Sequence, residues 1–80
     1  MKKPIIDVLA FFRGGKIEPI KFIYGAGVYD VEKISGYTVN KEIRAVTMTV
    51  ETTNGYLGVI QYRIPEKIFR LMMLEKLNGK

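Results

Sequence analysis

Carboxylates, hydroxyls and clustered cations are the only side chains here whose types and spacing could do chemistry. The 80 residues contain no histidine, no cysteine and no tryptophan. Most nucleophilic and zinc-dependent centres need His or Cys, so they are set aside at the outset. Asp30 and Glu32 stand two apart and therefore share one face of a strand. A pair of carboxylates can act as acid and base when burial drives their pKa values apart. No nucleophile or metal-ligand partner lies near them in sequence, and a solvated strand face is the expected setting.

Arg13-Gly14-Gly15-Lys16 joins a flexible backbone to two cations, a combination that suits an anion. It lacks the spacing of a phosphate-binding P-loop and no helix is expected after it, so it reads as a tight turn. Lys21, Arg44 and Arg63, with Tyr62 and Tyr56 nearby, could form a cationic-aromatic face for single-stranded nucleic acid. Arg44 and Arg63 come out as diagonal neighbours on one face, with Tyr62 on the other. Thr47, Thr49, Thr52 and Thr53 are strand formers, because a threonine nucleophile needs an activating base and there is no His to supply one. A third candidate surface is apolar: Phe69, Met72 and Met73, a possible protein interface, since Met adapts to irregular partners.

The elements that must carry these residues read as mainly β. Ile5 to Arg13 is apolar on both faces, with Ile6, Val8, Ala10 and Phe12 on one and Ile5, Leu9 and Phe11 on the other. Gly14-Gly15 turns the chain. Ile17 to Tyr24 follows, with Ile20, Phe22 and Tyr24 on one face, and Pro19 requires an edge or a bulge there. After Gly25-Ala26-Gly27, Val28 to Ile34 alternates, with Tyr29 and Val31 turned from Asp30 and Glu32. Ser35 to Lys41 reads as a loop. Glu42 to Thr53 and Tyr56 to Ile64 form a hairpin about Asn54-Gly55. A two-residue type I′ turn sets Val50 opposite Val59 and Met48 opposite Gln61.

Pro65 to Leu77 has two readings. Pro65 suits a first helical turn, no β-branched residue occurs from Phe69 to Leu77, and Asn78-Gly79 suits a helix stop. A helix is therefore expected. Its apolar set would wrap more than half its circumference, so it would need a second subunit as cover. The alternative is a sixth strand with Phe69, Leu71 and Met73 inward.

Pro4-Ile5, Val8 and Phe11, then Gly15, Ile17, Pro19, Ile20 and Phe22, then Gly27, Tyr29, Val31, Lys33 and Ile34 form a recurring pattern. It resembles a group of short uncharacterised bacterial proteins, mainly from Firmicutes, that look like small SH3-like barrels. Chains of that group usually end in a strand with a tryptophan followed by a leucine. Ile68-Phe69-Arg70-Leu71 takes a similar place here without the tryptophan. The resemblance implies a fold and no activity.

One domain, residues 1–80, is the most this length allows. A chain this small builds a limited core. With neither disulfide nor zinc, association is the one staple left if a staple is needed; the alternative is that a single efficient core suffices. Thirteen Lys and Arg against eight Asp and Glu leave a net charge of +5, which favours anionic partners weakly. No stretch has the roughly 18 apolar residues of a bilayer span. The apolar run after Met1-Lys2-Lys3 is broken by Pro4 and Asp7, with no small-residue cleavage site, unlike a signal peptide.

The sequence thus leads to a mainly β fold. It is a small SH3-like antiparallel barrel of about five strands closed by a C-terminal helix, or by a sixth strand in its place. The expected function is non-enzymatic: a cytoplasmic interaction module that self-associates or docks on another protein. A nucleic-acid-binding barrel is the alternative. No cofactor and no membrane partner are expected.

Overall fold

The computed structural model describes residues 3–77. Six strands follow one another: β1 (Ile5–Arg13), β2 (Lys16–Tyr24), β3 (Gly27–Asn40), β4 (Ala45–Thr52), β5 (Tyr56–Arg63) and β6 (Ile68–Lys76). Each pairs antiparallel with its sequence neighbour, and β1 pairs with β6 to close a barrel. The small antiparallel barrel is as expected; the C-terminal helix is not. Residues 68–76 form the alternative, a sixth strand.

Barrel closure explains why tertiary context overrides helix propensity there. As β6, the segment pairs along its length with β5 and lends Arg70 and Phe69 to Ile5 and Ile6 of β1. The Leu71 N–H donates to the Pro4 carbonyl at 2.9 Å. A bulge at Met72 splits the apolar run between the two faces, with Leu71 buried and Leu74 packed on the core, while Met73 turns outward against Val59. The strand alternative therefore holds for Phe69 and Leu71 but not for Met73.

The interior is filled by Ile6 of β1, Ile17 and Phe22 of β2, Val46, Met48 and Val50 of β4, Ile60 of β5 and Leu71 of β6, while β3 packs Tyr29, Val31 and Tyr37 against them. Phe22, Met48, Val50 and Ile60 are wholly buried. Gly58 lies opposite Val50, and a Cβ on it would meet the Phe22 ring at 3.4 Å. A glycine here lets the largest core ring reach across the barrel.

The β4–β5 register differs by one residue from that of a two-residue turn. Val50 lies opposite Gly58 and Met48 opposite Ile60. The hairpin loop has three residues, Thr53-Asn54-Gly55, because Asn54 keeps a negative φ and Gly55 alone takes the left-handed conformation (φ 86°). The Gly55 N–H donates to the Thr52 carbonyl at 3.1 Å. Thr52 selects this loop: its Oγ1 accepts the Tyr56 N–H at 2.9 Å and donates to Asn54 Oδ1 at 2.6 Å. The one-residue shift gathers Val46, Met48, Val50, Ile60 and Tyr62 on one face and leaves Thr47, Thr49, Glu51, Gln61, Leu57 and Val59 on the other.

Ser35 to Lys41 is not the expected loop. β3 runs on to Asn40, bent by irregularities between Val31 and Lys33 and between Ile34 and Gly36. Gly36 permits the bend, since a Cβ on it would meet Thr49 Cβ at 3.2 Å. Pro19 does sit at a bulge: β1–β2 pairing slips between Leu9 and Ala10, leaving Ile20 without a partner. That slip also sends Ile20 outward, away from the face it was expected to share with Phe22.

Candidate functional site

Pairing is incomplete at one end of the barrel, and that end holds the candidate site. β2 pairs with β3 only from Lys21 to Tyr24. β1 pairs with β6 only at Ile5 and Ile6. The outer halves of β1 and β2 therefore project as a ribbon past the β5–β6 turn, held to each other from Ala10–Pro19 to Arg13–Lys16. The Ile17 N–H points across the gap toward β3 and donates to the Tyr37 hydroxyl at 2.9 Å. Pro19, two residues on, has its nitrogen on the same side and no proton to satisfy.

A cleft of about 500 Å³ lies under the ribbon. Phe12, Tyr37, Val39, Val46 and Tyr62 form its floor and walls. Tyr62 is fixed edge-on to Phe12, with ring centroids 5.5 Å apart, and tilted on Phe69 at 4.6 Å. Arg13 and Lys16 stand at its lip. Arg13 pairs with Glu18 at 3.1 Å, and Lys16 Nζ lies 5.1 Å above the Tyr37 ring. The volume falls in the range of small-ligand sites, and the walls are mostly apolar, as such sites are.

Two four-residue loops flank the cleft. Residues 41–44 follow Asn40, whose Oδ1 accepts the Glu42 N–H at 3.0 Å and the Ile43 N–H at 3.2 Å. Residues 64–67 follow Arg63. Each loop ends on a non-glycine in the left-handed region, Arg44 at φ 55° and Lys67 at φ 59°. The Ile64 N–H donates to the Arg44 carbonyl at 3.0 Å, which ties the two loops together.

The sequence candidates fall into these surroundings unevenly. The backbones of Arg44 and Arg63 adjoin, since the Ile64 N–H donates to the Arg44 carbonyl. But Ala45 lies opposite Arg63 and Arg44 sits in the loop before β4, so the two arginines are not the expected diagonal neighbours on one strand face. Arg63 reaches Glu66 at 3.7 Å, while its Nε is buried without a partner among the described residues. Tyr62 lies on the face opposite Arg63, as expected, and that face is the inner one, where its ring meets Phe12 and Phe69. Tyr56 is away from this end, edge-on to Tyr29 at 5.3 Å. Lys21 is not part of the group: it lies on the outer wall opposite Leu9 and Asp30. Arg13-Gly14-Gly15-Lys16 is a β-turn with both glycines at positive φ.

Phe69, Met72 and Met73 share no face. Phe69 packs inward on Tyr62, Met72 occupies the bulge, and Met73 is exposed. Without a helix the surface they were to form does not exist. Asp30 and Glu32 are both exposed, and Asp30 faces Lys21, the setting of a solvated strand face.

Sequence reasoning missed the cleft. The available signal was the pair of apolar faces on residues 5–13, which foretold a strand with more than one environment. The chain matches no family model, no curated protein and no solved structure.

Proposed function

We propose that this chain is a non-enzymatic interaction module that self-associates through the outer wall of β1, β2 and the start of β3. One observation carries the reading. Leu9, Phe11, Ile23 and Val28 are each about half exposed on one side of three paired strands. Leu9 and Ile23 line a common depression, and Val28 lies directly opposite Ile23. Large apolar residues gathered on one exposed wall mark interaction sites. Asp7, Glu18 and Asp30 share the wall with Arg13 and Lys21, so both charge signs are present on one surface. A second copy of the chain, related by a twofold axis, can meet such a surface with complementary charges.

Sedimentation velocity of the full chain across a concentration series tests this. Expected is a concentration-dependent dimer or higher oligomer, lost in Phe11→Lys and Ile23→Lys variants that keep the wild-type circular dichroism spectrum. A monodisperse monomer at high concentration refutes self-association. A cytoplasmic setting goes with this reading, since a chain without cysteine needs no oxidising compartment to fold.

A second reading has its own observation: Arg44 and Arg63 adjoin at the end that also carries Arg13, Lys16, Lys41 and Lys67. That end suits an anionic partner, nucleic acid included. The inward turn of Tyr62 removes the stacking platform, so any such binding is electrostatic. An anisotropy titration with generic oligonucleotides then shows a steep salt dependence, with a slope of about −0.9 per phosphate contacted on duplex DNA. No binding at low salt ends this reading.

A further inference from the structure

We propose that the ribbon-and-loop end of the barrel docks on the surface of an anionic lipid bilayer. The up-and-down order places the β1–β2, β3–β4 and β5–β6 connections at one end. They share a composition. The first is flanked by Phe12 and Arg13 at the end of β1 and Lys16 at the start of β2; the second carries Ile43 between Lys41 and Arg44; the third carries Ile64 and Lys67 next to Arg63 at the end of β5. Each connection thus sets one large apolar side chain beside two cations. Phe12 is 59% exposed, Ile43 44% and Ile64 41%.

The three connections form one surface. Arg13, Lys16, Phe12 and Ile64 all border the same cleft, and the Arg44–Ile64 hydrogen bond joins the second connection to the third. Glu18, Glu42 and Glu66 are the acids of this end, so its six cations leave an excess of +3 out of the chain's +5. A nucleic-acid surface accounts for the cations but not for isoleucines held in water at two loop tips. A protein partner accounts for the isoleucines but not for cations in each connection. A bilayer accounts for both, because apolar tips enter the headgroup boundary while the cations meet anionic lipid.

Such docking needs no membrane span. No helix of the described residues is long and apolar enough to cross a membrane, and the proposal departs from the expectation of no membrane partner, which rests on the lack of a spanning stretch. The proposal does not require self-association: Arg13 and Glu18 border both surfaces, while Ile43 and Ile64 belong to this end alone.

The test is co-sedimentation of the full chain with phosphatidylcholine vesicles, with and without about a third phosphatidylserine, at low and near-physiological salt. Expected is binding to the anionic vesicles alone. Lys16→Gln and Lys41→Gln each weaken it about fivefold, the loss of one cation near such a surface. An Ile43→Ser/Ile64→Ser double variant loses the component that survives added salt. These positions are exposed, and circular dichroism checks that each variant is folded. No binding to anionic vesicles at low salt overturns the proposal. So does a double variant that binds like the wild type. Oligonucleotide binding tighter than vesicle binding and indifferent to the double variant overturns it in favour of nucleic acid.

Discussion

The Ile17 N–H donates to the Tyr37 hydroxyl at 2.9 Å across the gap where β2 and β3 have stopped pairing. One side chain from the far half of β3 thus replaces a missing rung of the ladder. It also fixes the distance between the projecting ribbon and the barrel, and with it the width of the cleft beneath Phe12.

That bond is part-buried, and losing one partner leaves the amide unsatisfied. Tyr37→Phe is expected to lower stability by about 1–2 kcal/mol. Chemical denaturation measures the loss. Amide exchange should quicken at Ile17 in particular, ahead of the core strands, and unchanged exchange there would show that the bond does not hold the ribbon.

Gly58 faces the Phe22 ring at contact distance. Gly58→Val has no room for its methyls and is expected to cost about 1–3 kcal/mol by overpacking. Gly58→Ala, whose Cβ just reaches contact, should cost much less. Paired denaturation curves distinguish a steric effect from a general intolerance of substitution.

Met48 is wholly buried opposite Ile60. Met48→Ala removes a side chain from the middle of the interior and leaves a cavity, at a cost of about 2–5 kcal/mol. Thermal unfolding followed by circular dichroism reads this directly. A loss below 1 kcal/mol would mean that the barrel collapses around the space.

Thr52 is buried, and its hydroxyl serves both Tyr56 and Asn54. Thr52→Val keeps the shape and removes both bonds, with an expected cost of about 1–3 kcal/mol. If the three-residue loop depends on Thr52, cross-strand nuclear Overhauser contacts between Met48 and Ile60 should weaken in this variant while those of β1 and β2 persist.

Lys67 holds a left-handed conformation that a side chain disfavours. Lys67→Gly is expected to raise stability by about 0.5–1 kcal/mol. The same change removes a cation from the ribbon-and-loop end, so its vesicle affinity should fall while its melting temperature rises. Movement of both quantities in the same direction would refute that separation.

Much of the fold was legible in the chain. The strands Ile5–Arg13 and Lys16–Tyr24, their glycine turn and the bulge at Pro19 follow from local rules, because alternation, proline and glycine act on their own neighbourhood. That Tyr62 and Arg63 occupy opposite faces was equally plain from their parity, but which face is inward was not, because the two-residue-turn register left both faces mixed. The Thr53–Gly55 loop was less so: Asn54-Gly55 suits a two-residue turn as well as a three-residue one, and a buried Thr52 hydroxyl decides between them.

Residues taken in isolation could not settle the segment from Ile68 to Lys76. Its local propensity is helical, while its strand conformation is imposed by β5 on one side and the start of β1 on the other. The gathering of Phe12, Ile43 and Ile64 with six cations is also tertiary. These residues come from three connections and the strand ends beside them, separated in sequence by whole strands. Composition determined that the chain would be a cationic, disulfide-free, mainly β domain. Closure of the barrel, a long-range pairing of its first and last strands, decided which residues share an end and therefore what that end can meet.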